Sequence, residues 1–203
     1  MRIGIMGGTF DPIHTGHLII AQEVGWQLKL DRVLFMPAAN PPHKQRQQVS
    51  PDYCRLEMVR LATAGNPLFE VEPLELERAG LSYTADTLEI LRQKFGPEEQ
   101  TSLYFIIGAD AAADLLSWYR PARVLELVKL AVVGRPGYTL TLDKLQAGLP
   151  RLNLAEHIIQ VEVPLIEIAA HEIRTRVQQG APITYLVPAI VEEYIHREKL
   201  YLD

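Results

Sequence analysis

The sequence predicts an α/β chain: a Rossmann-like, doubly wound parallel sheet with helices on both faces. It reads as a single domain over residues 1–203, with a small C-terminal helical portion covering about 165–203. Three observations carry this expectation. Short apolar runs rich in β-branched residues alternate with longer segments of helical period. Those runs are nearly continuous rather than alternating, the pattern of strands buried on both faces. No internal repeat, low-complexity tract or linker breaks the succession.

In chain order, the predicted strands are Arg2–Met6, Arg32–Met36, Leu103–Ile107, Leu130–Gly134 and Ile158–Val161, with a further short one near Phe69–Val71. Helical periodicity covers Thr15–Lys29, Pro51–Ala64, Thr84–Lys94, Pro121–Leu127, Leu142–Leu149 and His171–Gln179. A last helix, Pro188–His196, carries proline in its first turn, where the missing N–H costs nothing. Ligands of open parallel sheets bind beyond the carboxyl ends of the strands, so the loops after the strands are where function is sought.

Composition narrows the function classes. Hydrophobic residues make up 48% and charged residues 22% of the chain, close to globular averages. No stretch approaches the ~20 apolar residues of a membrane span, and the first residues lack the long apolar region of a secretory signal. The single cysteine, Cys54, forms no internal disulfide and reads as a small hydrophobe, which suits a reducing cytosol. A soluble cytoplasmic protein is therefore expected. The net charge of −5 and the lack of a dense Lys/Arg run argue against a nucleic-acid surface. A small phosphorylated ligand needs only local positive charge and oriented N–H groups.

The first strand runs into Gly7-Gly8-Thr9-Phe10-Asp11-Pro12-Ile13-His14-Thr15-Gly16-His17. Two glycines allow close approach of backbone to a ligand, although alone they equally make a tight strand-to-helix turn. Thr15 is placed to cap the following helix, whose first N–H groups form an anion site, and Gly16 leaves room above its first turn. His14 and His17 share one side of that turn and can donate to one phosphate. A zinc pair is the competing use, but no further ligand completes a zinc pattern. The run fits neither the P-loop nor the dinucleotide fingerprint. As a set, these residues point to a phosphate site.

Other loops carry chemistry with alternatives open. Pro41-Pro42 stiffens a loop bearing His43, Lys44 and Arg46, which is either a second phosphate site or a solvated basic loop. Thr84 stands at a helix start that could hold a carboxylate or simply be capped. Trp118-Tyr119-Arg120 offers an aromatic face for packing or for stacking. Asp110, just past a strand, suits a ribose hydroxyl or a helix cap. Gly134-Arg135-Pro136-Gly137 is a turn.

Gly7–His17 resembles the signature of the HxGH nucleotidyltransferase superfamily, which in turn resembles class I aminoacyl-tRNA synthetases. Within it, the chain is similar to bacterial nicotinate-nucleotide adenylyltransferases nearly end to end. The likeness is carried in order by Asn40–Lys44, Ser82–Leu88, Phe105–Asp110, Trp118–Arg120, Val133–Gly137 and Tyr185–Pro188. It implies that the AMP moiety of ATP is joined to nicotinate mononucleotide, giving nicotinate adenine dinucleotide and pyrophosphate in NAD biosynthesis. It implies catalytic roles for His14, His17, Lys44 and Arg174. ATP would meet Gly7, Gly8, Thr9, Phe10, His14, His17, Gly108, Asp110, Arg135, His171 and Arg174. Nicotinate mononucleotide would meet Asn40, His43, Lys44, Thr84, Asp110, Trp118 and Tyr119, with backbone near Thr84 gripping the carboxylate and Trp118 stacking on the ring. Mg²⁺ would arrive with ATP, with no dedicated protein metal site. Nucleic acid and membrane are not expected partners, and the sequence leaves a homo-oligomer open.

One stretch departs from the family. Where the superfamily resembles Ile-Ser-Ser-Thr-x-Ile-Arg, this chain has Ile168-Ala169-Ala170-His171-Glu172-Ile173-Arg174. The arginine persists, the hydroxyl pair is alanine, and His171 stands ready as a replacement donor. Each lost neutral hydrogen bond costs only ~0.5–1.5 kcal/mol, so activity is still expected. The competing readings are a nucleotidyltransferase for an amide mononucleotide, phosphopantetheine or a sugar phosphate, a non-catalytic nucleotide-binding protein, and a synthetase-like nucleic-acid enzyme.

Overall fold

Strand residues alternate between two buried clusters, one on each face of a single sheet. Ile3, Ile5, Leu34, Met36, Leu103, Phe105, Leu130 and Val132 belong to one cluster. Their neighbours Met6, Val33, Phe35, Tyr104, Ile106, Ala131 and Val133 belong to the other. Burial on both sides is why these runs show no polar alternation. The computed structural model describes residues 1–39, 49–78, 81–134 and 141–202.

In chain order the elements are β1 (Arg2–Gly8), α1 (Thr15–Gln27), β2 (Arg32–Pro37), α2 (Asp52–Thr63), β3 (Phe69–Val71), α3 (Leu74–Glu77), α4 (Thr84–Phe95), β4 (Ser102–Gly108), α5 (Ala109–Ala113), α6 (Pro121–Leu127), β5 (Lys129–Val133), α7 (Leu142–Gly148), α8 (Leu154–His157), β6 (Ile158–Val161), α9 (Ala170–Gln178) and α10 (Ala189–Arg197). A 3₁₀ turn, Leu115–Ser117, follows α5. The strands lie in the order β3-β2-β1-β4-β5-β6, and every pairing is parallel. The expected doubly wound sheet is therefore present. Strand order reverses between β1 and β4, the switch point where such sheets bind ligands.

One buried cluster takes residues from α1, α2, α9 and α10, among them Val24, Met58, Ile173 and Ile195. The other takes residues from α4 to α8, including Leu88, Ala112, Leu125, Leu145 and Leu154. The C-terminal helices thus pack on the same face as α1, which brings the start of α9 towards the start of α1. Cys54 is a buried free thiol, as expected of a small hydrophobe.

Some element ends differ from expectation. β1 extends through Gly7 and Gly8, because they still pair with Met36 and Pro37 of β2. Thr15 does not cap α1; His14 does, in extended conformation. The Thr15 hydroxyl instead donates to the Tyr185 carbonyl at 3.0 Å. Tyr83 rather than Thr84 is the cap position of α4, and Gly108 rather than Asp110 that of α5. Pro188 precedes α10 as its cap rather than standing inside it.

Candidate active site

A cleft of about 680 Å³ opens beyond the carboxyl ends of β1 and β4. Its lining includes Gly7, Gly8, Thr9, Phe10, His14 and His17 from the first loop, Gly108 and Asp110 from the end of β4, and His171 and Arg174 from α9. These residues were expected around ATP, and the fold gathers them from segments up to 167 positions apart (Gly7 to Arg174). Ala169 and Ala170 line the same cleft at the start of α9.

The two histidines form one unit. Their rings stack with centroids 3.7 Å apart and planes 24° from parallel. His14 is buried at 7% exposure. Its backbone N–H donates to Nδ1 of His17 at 3.2 Å. A nitrogen that accepts a backbone N–H carries no proton, so the neutral His17 ring keeps its proton on Nε2. Phe10, itself buried at a backbone φ of 50°, sets its ring edgewise on His17 at 5.1 Å. The helix cap thus also fixes the tautomer and tilt of the second histidine.

Gly16 explains why the residue between the histidines lacks a side chain. A β-carbon there would stand 3.1 Å from Nδ1 and 3.3 Å from Cε1 of His14. The space expected above the first turn is therefore filled by the His14 ring. Gly16→Ala should leave thermal stability unchanged or slightly raised, since alanine favours helix. It should also lower kcat roughly tenfold by displacing the ring a few tenths of an ångström. Parallel melting and steady-state measurements check the opposite signs.

Side chains around the cleft hold the first loop. Arg174 Nη1 donates to the Asp11 carbonyl at 2.6 Å. The Asp11 carboxylate accepts the Tyr201 hydroxyl at 2.7 Å and the Ser50 N–H at 3.2 Å. Burial beside that carboxylate pushes the Tyr201 hydroxyl well above its usual range. Arg55, 1% exposed, donates from Nη1 to Thr9 O at 2.7 Å and Ala38 O at 2.8 Å, and from Nε to Ser50 O at 3.1 Å. It ties the exits of β1 and β2 together. Sequence reasoning missed Arg55, Asp11 and Tyr201. The available signal for Arg55 was a charged residue within the buried stripe that also contains Cys54, Met58 and Val59.

The residues expected around the second substrate divide. Thr84, Trp118 and Tyr119 are not among the described residues lining the cleft; they gather on the α4 side of the sheet. Trp118 meets Phe105 edgewise at 6.2 Å. Phe105 in turn lies where a β-carbon on Gly7 would meet it at 3.4 Å. One ring therefore separates Trp118 from the glycine loop. Tyr119, half exposed, tilts against Tyr83 at 4.7 Å. Asn40, His43, Lys44 and Arg135 lie outside the described residues. No helix among the described residues is long and apolar enough to cross a membrane.

Imidazole donors, a guanidinium and two helix starts around a switch-point cleft suit the transfer of a phosphorus-centred group between nucleotides, and so define a nucleotidyltransferase. The relatives say the same. Residues 5–176 match the family described as Cytidylyltransferase-like. A protein of Thermomicrobium roseum named probable nicotinate-nucleotide adenylyltransferase is 46% identical over 200 residues, 98% of this chain and 91% of that one. One of the same name from Thermus thermophilus is 46% identical over 201 residues, 99% and 100% of the two chains. Among solved structures, the Plasmodium falciparum nicotinic acid mononucleotide adenylyltransferase complexed with NaAD superposes with a TM-score of 0.77 at 16% identity, covering 98% of this chain and 97% of that one. The chain belongs to the Cytidylyltransferase-like family and, within it, to the nicotinate-nucleotide adenylyltransferases.

Proposed function

We propose that this enzyme joins the AMP moiety of ATP to nicotinate mononucleotide in the cytosol, forming nicotinate adenine dinucleotide and pyrophosphate. The observation that supports the reading best is the stacked His14–His17 pair facing the same cleft as Arg174. An oxygen of the mononucleotide's 5′-phosphate attacks the α-phosphorus of ATP in line. The new P–O bond forms as the bond to the β-phosphate oxygen breaks, and pyrophosphate leaves. The attacking phosphate is largely ionised near pH 7, with a second pKa of about 6, so no general base is required. Catalysis comes from positioning and from neutralising charge on the transferred group. His17 offers its Nε2–H to the α-phosphoryl oxygens, with His14 stacked alongside and Arg174 holding phosphate. Backbone N–H groups at the start of α9 serve where Ala169 and Ala170 provide no hydroxyl, with His171 as an added donor.

Among the described residues, no three His, Cys, Asp or Glu side chains gather as a metal cage. Mg²⁺ would be held chiefly by ATP phosphates, where it would offset the charge of the leaving pyrophosphate. Asp110 is a carboxylate placed at the cleft to assist, or to accept ribose hydroxyls.

Purified protein incubated with ATP, Mg²⁺ and either nicotinate mononucleotide or its amide tests the reading. Nicotinate adenine dinucleotide and pyrophosphate in equal amounts are expected. Nucleotide binding with no pyrophosphate release would instead mark a binding protein. Trp118→Ala should raise the KM for the mononucleotide about 3- to 30-fold, the worth of a cation–π contact with the pyridinium ring. The KM for ATP should stay unchanged. Equal mononucleotide KM values in the variant and the parent chain would remove the stacking role.

A further inference from the structure

We infer that Glu75 is a positioning residue for the acceptor half of the site: its buried carboxylate holds the exit of β2 against the start of α4. This rests on the reading that the mononucleotide sits between those two segments.

Glu75 lies in the short helix α3 and is 6% exposed. The fully buried Thr87 hydroxyl donates to its Oε1 at 2.9 Å. The Ser82 side chain and the Ala39 backbone lie near enough to this carboxylate to favour its ionised form. Ser82 and Thr87 bracket the first residue of α4, Thr84. Ala39 is the last described residue after β2. Its neighbour Ala38 donates its N–H to Gly8 O at 2.8 Å and accepts from Arg55 at 2.8 Å. The chain leaving β2 is therefore tied on one side to the glycine loop and on the other lies beside Glu75, which is bonded to α4.

A buried hydroxyl donating to this point, with Ser82 and the Ala39 backbone close by, suits an acceptor-only group, which a carboxylate is and an amide is only in part. Arg78 adds positive charge nearby, its Nη2 lying 3.3 Å from the Thr87 hydroxyl. Burial pushes the Glu75 carboxyl up from its usual range, and the donors and Arg78 pull it back. Folding thus works against the ionised form. A glutamine at this position keeps one carbonyl acceptor without that cost, so Glu75→Gln should fold. Stability alone gives little reason to keep a charge here. Its geometric effect is to fix the distance between two loops that are 43 residues apart at Ala39 and Ser82.

Steady-state kinetics of the intact chain with ATP, Mg²⁺ and nicotinate mononucleotide test the inference. Glu75→Ala should raise the mononucleotide KM about tenfold or more, with the KM for ATP within about twofold of the parent. Glu75→Gln should keep the mononucleotide KM within about threefold, and Ser82→Ala should raise it severalfold with the same selectivity. If Glu75→Ala does not fold by circular dichroism, the split in Ser82→Ala decides. KM values for both substrates rising together, or no change in a folded variant, would overturn the inference while leaving the proposed reaction standing. A parent chain that makes no dinucleotide from nicotinate mononucleotide would overturn both, and this shows before any variant is compared.

Discussion

His17→Ala should lower kcat by about 10²–10³-fold, the usual effect of removing one preorganised donor to a developing oxyanion. The expectation rests on the tautomer. His17 Nδ1 accepts the backbone N–H of His14, so the proton of the neutral ring sits on Nε2. Losing the ring also uncaps α1, at about 1 kcal/mol. His17→Gln separates the two effects. Glutamine at the third helical position can reach back to the cap N–H as in a capping box. It should therefore recover the melting temperature without recovering kcat. Single-turnover rates with saturating ATP, beside thermal melts, give the comparison. A His17→Gln variant with near-parent turnover would mean that the imidazole serves only as a cap.

That dual use of one side chain marks where sequence reasoning was strong and where it stopped. The sheet was legible because β1, β2, β4 and β5 are short runs, apolar on both faces and rich in β-branched residues, which suits strands covered on each side. The pair His14 and His17 was legible because three-residue spacing at a helix start needs no knowledge of distant partners. Gly7 and Gly8 were read as loop because glycine disfavours strands, yet the ladder to Met36 and Pro37 carries them into β1. Caps moved by one or two residues, and at Thr15 the reason is tertiary: Tyr185 takes its hydroxyl. The short helices α3, α5 and α8 have four or five residues each, too few to show a period. Arg55 and Glu75 were invisible for a deeper reason. Beyond the local Asp52 carboxylate, Arg55 bonds carbonyls at the ends of two strands, and Glu75 accepts a hydroxyl from another helix; no local pattern encodes a meeting of that kind.

Arg174 carries the second large expected effect, and its geometry predicts what kind of effect it is. The guanidinium already gives Nη1 to the Asp11 carbonyl at 2.6 Å while lining the same cleft as the histidines. One face of the fork steadies the first loop, leaving the other donors for phosphate. Arg174→Ala should lower kcat/KM for ATP by roughly 10- to 150-fold, the range of a lost hydrogen bond to a charged group at 1.5–3 kcal/mol. Arg174→Lys keeps the charge but offers a single ammonium on a flexible stem, which cannot serve carbonyl and phosphate with the same fixed geometry. It should therefore fall between alanine and the parent, recovering ATP binding more than kcat. An alanine variant with lower kcat and unchanged KM for ATP would reduce Arg174 to a brace for Asp11. In that case the triphosphate would depend on the start of α9 and on His171, and His171→Ala would have to show the larger loss in ATP affinity.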